Sequence, residues 1–78
     1  MVPTAKILSA ADFGAVVREK RKALGYTQSS VAAYSGCGVM FVSNLERGKP
    51  TAEIEKAITV LNTLGLDLIV SDRERGTQ

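Results

Sequence analysis

Apolar positions along this chain fall into runs with helical spacing, each bracketed by a capping residue and a glycine. Phe13, Val16, Val17 and Leu24 recur at intervals that put them on one face of a helix. Ser9 is suited to cap its start, Asp12 sits near its positive end, and Gly25 supplies the stop, which predicts a first helix over residues 10–24. "YTQSSVAAYSG" begins a second, with Thr27 as N-cap, Val31 and Ala32 facing inward, and Gly36 ending it in a left-handed turn. A third runs from Val39 to Arg47, with Gly38 as N-cap and Gly48 past its end. Pro50 then blocks continuation and Thr51 caps a fourth helix, whose inward face carries Ile54, Ala57, Ile58, Leu61 and Leu64 before Gly65 closes it.

The two ends read differently. Residues 1–8 look extended, with Pro3 early and an apolar pair at Ile7 and Leu8. "LDLIV", residues 66–70, is partly alternating, β-branched at its end and too short for a helix, which predicts a strand. "SDRERGTQ" reads as a polar, mobile tail. The expected organisation is a helical domain over 9–65, a strand over 66–71 and a tail over 72–78.

Composition narrows the classes. At 78 residues the chain is one small domain, marginal in the surface it can bury. One cysteine excludes an internal disulfide and the lack of histidine excludes a Cys/His zinc site, so oligomerisation is the remaining support for a small core. An apolar share of 45% against 23% charged excludes a disordered chain. No apolar run approaches the ~18 residues of a membrane span, and "MVPTAKILSAADF" lacks the apolar core of a signal peptide. A cytoplasmic location is expected by default. Net charge is only +2, but residues 1–27 hold five Lys/Arg against two acids, whereas residues 51–78 hold three against five. The N-terminal two-thirds could therefore face a polyanion; scattered solubilising charge is the alternative.

Two short helices joined by a glycine-containing turn form a helix-turn-helix unit, and its packing needs can be checked in turn. Ala32 is small where the helices cross, Gly36 frees the turn, and Val42 and Leu45 pin the third helix from below. Cys37 suits a buried small hydrophobe better than a reactive or metal-binding thiol. Arg21 falls on the apolar face of the first helix and Glu46 on the inward face of the third. A lone buried charge is costly, so the two are expected to meet as a structural ion pair.

"LGYTQSSVAAYSGCGVMFVSNLERGKP" resembles the XRE, or lambda-repressor-like, helix-turn-helix family through Thr27, Gln28, Ala32, Gly36, Ser43, Glu46, Arg47, Gly48 and Lys49. "ERGKPT", a further helix and then "LGLDLIV" look more narrowly like HipB-type antitoxins. The resemblance covers about residues 9–70. It implies an all-α fold of four to five helices with a short C-terminal β-strand that pairs with its copy in a homodimer. It also implies a repressor of a palindromic operator, the antitoxin partner of a HipA-like toxin kinase. A solitary phage-type regulator shares the same core.

The family's base-reading positions fall at Val39, Met40, Ser43 and Asn44, with Gln28, Arg47 and Lys49 on the DNA backbone and Lys20 or Lys22 as weaker candidates. Gln28 would bond a phosphate beside the N–H groups opening the second helix. Asn44 is the best single reader, because asparagine pairs bidentately with adenine. Many relatives carry a basic or amide residue where Val39 and Met40 stand. These two cannot donate hydrogen bonds but can pack on thymine methyls, so the helix is expected to read methyls and shape. The alternatives are weak, non-specific DNA binding, or a partner protein covering Val39, Met40 and Phe41.

The C-terminal strand alone would leave bare hydrogen-bonding edges. Pairing in a dimer covers them and buries Leu66, Leu68 and Val70, each worth roughly 1.5–3 kcal/mol; folding back onto its own helices or onto Ile7–Leu8 is the alternative. Catalysis is not expected: there is no histidine and no glycine-rich phosphate loop after a strand. No cofactor or metal is called for. Without a ligand-sensing domain in these residues, derepression is expected to need a protein partner or proteolysis.

Overall fold

The computed structural model describes residues 4–73. Four helices follow in order, α1 (Ala10–Ala23), α2 (Gln28–Ser35), α3 (Val39–Glu46) and α4 (Ile54–Thr63). Their ends are set by local chemistry. The Ser9 hydroxyl accepts the Asp12 N–H at 3.1 Å while Asp12 returns a carboxylate oxygen to the Leu8 N–H at 2.9 Å. Thr27 and Ser30 form a reciprocal capping box, each side chain accepting the other's backbone N–H at 3.0 Å. The α2–α3 turn is made by Gly36 at φ 75°, a left-handed conformation that a Cβ disfavours.

The core gathers Val17 from α1, Val31 and Ala32 from α2, Val42 and Leu45 from α3, and Ala57, Val60, Leu61 and Leu64 at α4. α3 packs between α1 and α2, and α4 lies against α2. Phe13, Tyr26 and Phe41 close the rim of this core. Cys37 is buried in it, its Sγ 3.9 Å from the Lys56 carbonyl, as a small apolar filler. α1 and α3 approach each other closely at Gly14. A Cβ built on Gly14 would stand 2.3 Å from the Leu45 carbonyl oxygen and 2.7 Å from that of Glu46. Gly48, at φ 82°, holds the chain leaving α3 against the backbone of Ala11.

The fourth helix departs from expectation. Thr51 does not cap it: the chain turns after Lys49, whose carbonyl accepts the Ala52 N–H at 3.4 Å, and Glu53 is the N-cap without a side-chain bond. Its buried arc is turned toward Val60, fully buried, and away from Ile54, which is 69% exposed. Ile54 is the first residue of α4, at the margin of the buried arc. It borders an open apolar groove of about 250 Å³, lined also by Ile7, Phe13, Leu45, Pro50 and Ala52.

The expected strand is not formed. Residues 66–70 have no regular secondary structure and pair with no segment among the described residues, Ile7–Leu8 included. Leu66 is half-buried against this chain's own core, its N–H bonded to the Leu61 carbonyl at 2.9 Å. Its side chain is thus partly used before any partner arrives. Leu68 and Val70 are 42% and 95% exposed. A strand needs a neighbour to satisfy its N–H and C=O groups, and this short segment has none among the described residues. Of the tail expected at 72–78, residues 74–78 lie outside the described residues, as does Pro3 at the other end. No helix among the described residues is long and apolar enough to cross a membrane.

Candidate nucleic-acid interface

The framework under the interface is the pair between α1 and α3. Arg21 Nε donates to Glu46 Oε2 at 2.6 Å and Nη2 to Oε1 at 3.0 Å, with the two side chains only 10% and 2% exposed. Arg21 Nη1 also reaches the Tyr26 carbonyl at 2.8 Å, tying the pair to the α1–α2 turn. Gln28, the first residue of α2, donates from Nε2 to Glu46 Oε1 at 3.0 Å. Burial alone pushes the Glu46 carboxyl up, but the hydrogen bonds from Arg21 and Gln28, with the charges of Arg21 and Arg18, outweigh it and hold the group below the usual carboxylate range. The hydrogen bond to Glu46, against desolvation, raises Arg21 further above neutrality. One carboxylate therefore fixes α1, α2 and α3 together.

On this framework α3 presents its other face. Val39 and Met40, at its first turn, are 48% and 68% exposed. Ser43 and Asn44 follow half-buried, Arg47 and Lys49 exposed. Gly38 brings the chain into α3 with no side-chain cap, so the opening N–H groups meet no capping oxygen. Phe41 is not part of that face: it leans on the core, with Lys56 Nζ 5.8 Å from its ring centroid.

Two assignments change with the geometry. Gln28 has one amide N–H committed to Glu46, leaving a second for a phosphate. Arg47 does not extend freely past the helix. Its guanidinium folds back along α3, Nη1 donating to Ser43 Oγ and Nη2 to Asn44 Oδ1, each at 2.5 Å. One of the two lone pairs of the Asn44 carbonyl, which asparagine uses for bidentate adenine pairing, is thus taken by Arg47, and the oxygen is turned toward it. Arg18, which the helical pattern did not single out, lines a shallow depression with Lys22 and Glu46. Its i, i+4 spacing to Lys22 was the available signal, and it makes Arg18 a further candidate for backbone contact.

The chain matches the family HTH_3, described as Helix-turn-helix, over residues 17–71. It is 44% identical over 71 residues to an uncharacterized HTH-type transcriptional regulator, y4mF, of Sinorhizobium fredii (strain NBRC 101917 / NGR234), covering 90% of this chain and 93% of that protein. Among solved structures it is similar to a HipB-O4 20mer complex at TM-score 0.83 and 24% identity, over 91% of this chain and 100% of that chain. A HipA-HipB-O2-O3 complex matches with the same TM-score, identity and coverage. A HipB-O1-O2 complex matches at TM-score 0.81 and 25% identity, over 88% of this chain and 100% of that chain. The chain therefore belongs to the XRE-type helix-turn-helix family of transcriptional regulators and has the fold of HipB.

Proposed function

We propose that this chain is a dimeric operator-binding repressor, the antitoxin of a HipA-like toxin–antitoxin module that represses the promoter shared by the two genes. The observation that carries the reading is the outer face of α3, where exposed Val39 and Met40 are followed at helical spacing by Ser43, Asn44 and Arg47. Entry into a major groove requires such a row on a helix whose opposite face is pinned, and Val42, Leu45 and Glu46 pin it. Val39 and Met40 pack on thymine methyls, Ser43 and Asn44 bond base edges, and Gln28, Lys49, Lys22 and Arg18 hold phosphates. The similar HipB structures, with O4 DNA and with HipA and DNA together, support the partner classes.

Dimerisation runs through the C-terminal segment. Leu68 and Val70, exposed in the single chain, are covered when residues 66–70 pair with the same residues of a second copy. Two-fold pairing sets the recognition helices about 34 Å apart, matching a palindromic operator. Leu68→Asp is expected to make the protein monomeric by analytical ultracentrifugation and to abolish cooperative operator binding. A variant that remained dimeric would move the interface elsewhere.

A second reading rests on the same exposed tip. If Val39 and Met40 are covered by a protein, the chain is chiefly a toxin-neutralising module with weak DNA affinity. Co-purification with the product of the neighbouring gene, assayed with wild type and with Met40→Glu, separates these. Toxin held by both variants supports the repressor reading; toxin lost with Met40→Glu supports the second. Absence of any co-purifying neighbour points to a solitary regulator.

A further inference from the structure

We infer that Arg47 sets which base Asn44 reads, so that α3 selects guanine rather than adenine at that position; this rests on the DNA-reading function proposed above. Arginine has only hydrogen-bond donors, so its bond to Asn44 fixes the carboxamide: Oδ1 faces Arg47 and the NH₂ group faces away. The other arm of the fork bonds Ser43, whose oxygen accepts from Nη1 and so keeps its own proton to donate. The two polar groups in the middle of α3 are thereby presented as donors. Val39 and Met40, before them, present neither donor nor acceptor.

The chemistry of base edges then decides. In the major groove guanine offers two acceptors, N7 and O6, whereas adenine offers one acceptor and one donor. Bidentate pairing with adenine needs the asparagine oxygen and nitrogen aimed together at the base. Here the oxygen is drawn toward the C-terminal end of α3 by a residue three positions on. An amide that turns only its NH₂ group to the base finds an acceptor at either N7 or O6 of guanine, while against adenine the same donor group crowds the N6 amino donor. Arg47 is thus a positioning residue, and its charge lies beside the base-reading face.

The test is selection from a pool of duplexes with a randomised stretch about two helical turns long, using wild type, Asn44→Ala and Arg47→Lys. Lysine keeps the charge and loses the fork. The base position that loses its preference in Asn44→Ala is the one facing Asn44. Wild type is expected to enrich guanine there, and Arg47→Lys to move the guanine-to-adenine ratio toward adenine by about tenfold or more, with other positions unchanged. Adenine enriched by wild type at that position overturns the inference without any variant. A guanine-to-adenine ratio unchanged in Arg47→Lys also overturns it, leaving Arg47 a phosphate contact that weakens all sequences alike. If wild type enriches no motif at all, the DNA-reading proposal falls and this inference with it.

Discussion

Arg21 and Glu46 join α1 to α3 through two hydrogen bonds, 2.6 and 3.0 Å long, in a place where little of either side chain meets water. Removing one partner strands the other charge in the core. Arg21→Met or Glu46→Leu alone is expected to destabilise by ~3–5 kcal/mol in urea unfolding, and the double variant to recover most of the loss. The pair also has a pH signature. Glu46 is held below its ordinary range, so its stabilisation is complete above the unfolded carboxylate value of about 4.3 and is lost as pH falls through the lower, folded one. Stability of the wild type should therefore decline below about pH 5 more steeply than that of the double variant. Additive single-site losses, with equal acid limbs, would refute the coupling.

Gly14 lies inside α1, where alanine would raise helix propensity by ~1 kcal/mol. Its missing Cβ is nevertheless required, because the space is filled by the Leu45 and Glu46 carbonyls. Gly14→Ala is expected to lower stability by ~1–3 kcal/mol, since backbone must shift to admit the methyl. Ala15→Gly, at an exposed neighbour, should also lose stability, by ~1 kcal/mol, through propensity alone. A thermal melt in which Gly14→Ala gained stability would mean that α1 and α3 are not in this contact.

Lys49 projects into solvent past α3. If it holds a phosphate, Lys49→Ala weakens operator and scrambled duplexes by the same factor, and the slope of log affinity against log salt falls by about 0.9. A change in sequence preference would instead place Lys49 among the base readers.

Val39 and Met40 can recognise only the apolar part of a base. Replacing thymines in the operator by deoxyuridine removes a methyl each, and wild type is expected to lose affinity by roughly 0.8 kcal/mol per contacted methyl. In a Val39→Ala, Met40→Ala variant the same replacement should cost almost nothing. Equal losses in both proteins would show that the methyls are not met by this helix tip.

Much of the fold could be read from the chain because the decisive chemistry was local. Ser9 and Thr27 advertise helix starts, Gly36 a left-handed turn, and Arg21 and Glu46 are conspicuous as charges on apolar faces. What escaped the sequence depended on contacts between distant segments or on rotamers. Gly14 reads as a weak spot in a helix until α3 is laid across it. Thr51 has the right chemistry for a cap, but the turn after Lys49 delays the helix to Ile54, and nothing in the helical period tells that this first residue stays exposed. Leu66 alternates with Leu68 as a strand would, yet it is held by the carbonyl of Leu61. Arg47 looks like one more cation for phosphate; only its folded-back side chain reveals the hold on Ser43 and Asn44.

An apolar-tipped α3 that still reads sequence must tell one duplex from another. Fluorescence anisotropy with DNA from upstream of the protein's own gene and with a scrambled duplex, at several salt concentrations, tests it most directly. A sequence-reading dimer predicts cooperative binding that favours the native duplex by ~10³-fold or more. Equal affinity for both, with a steep salt slope, would leave phosphate contacts alone and contradict it.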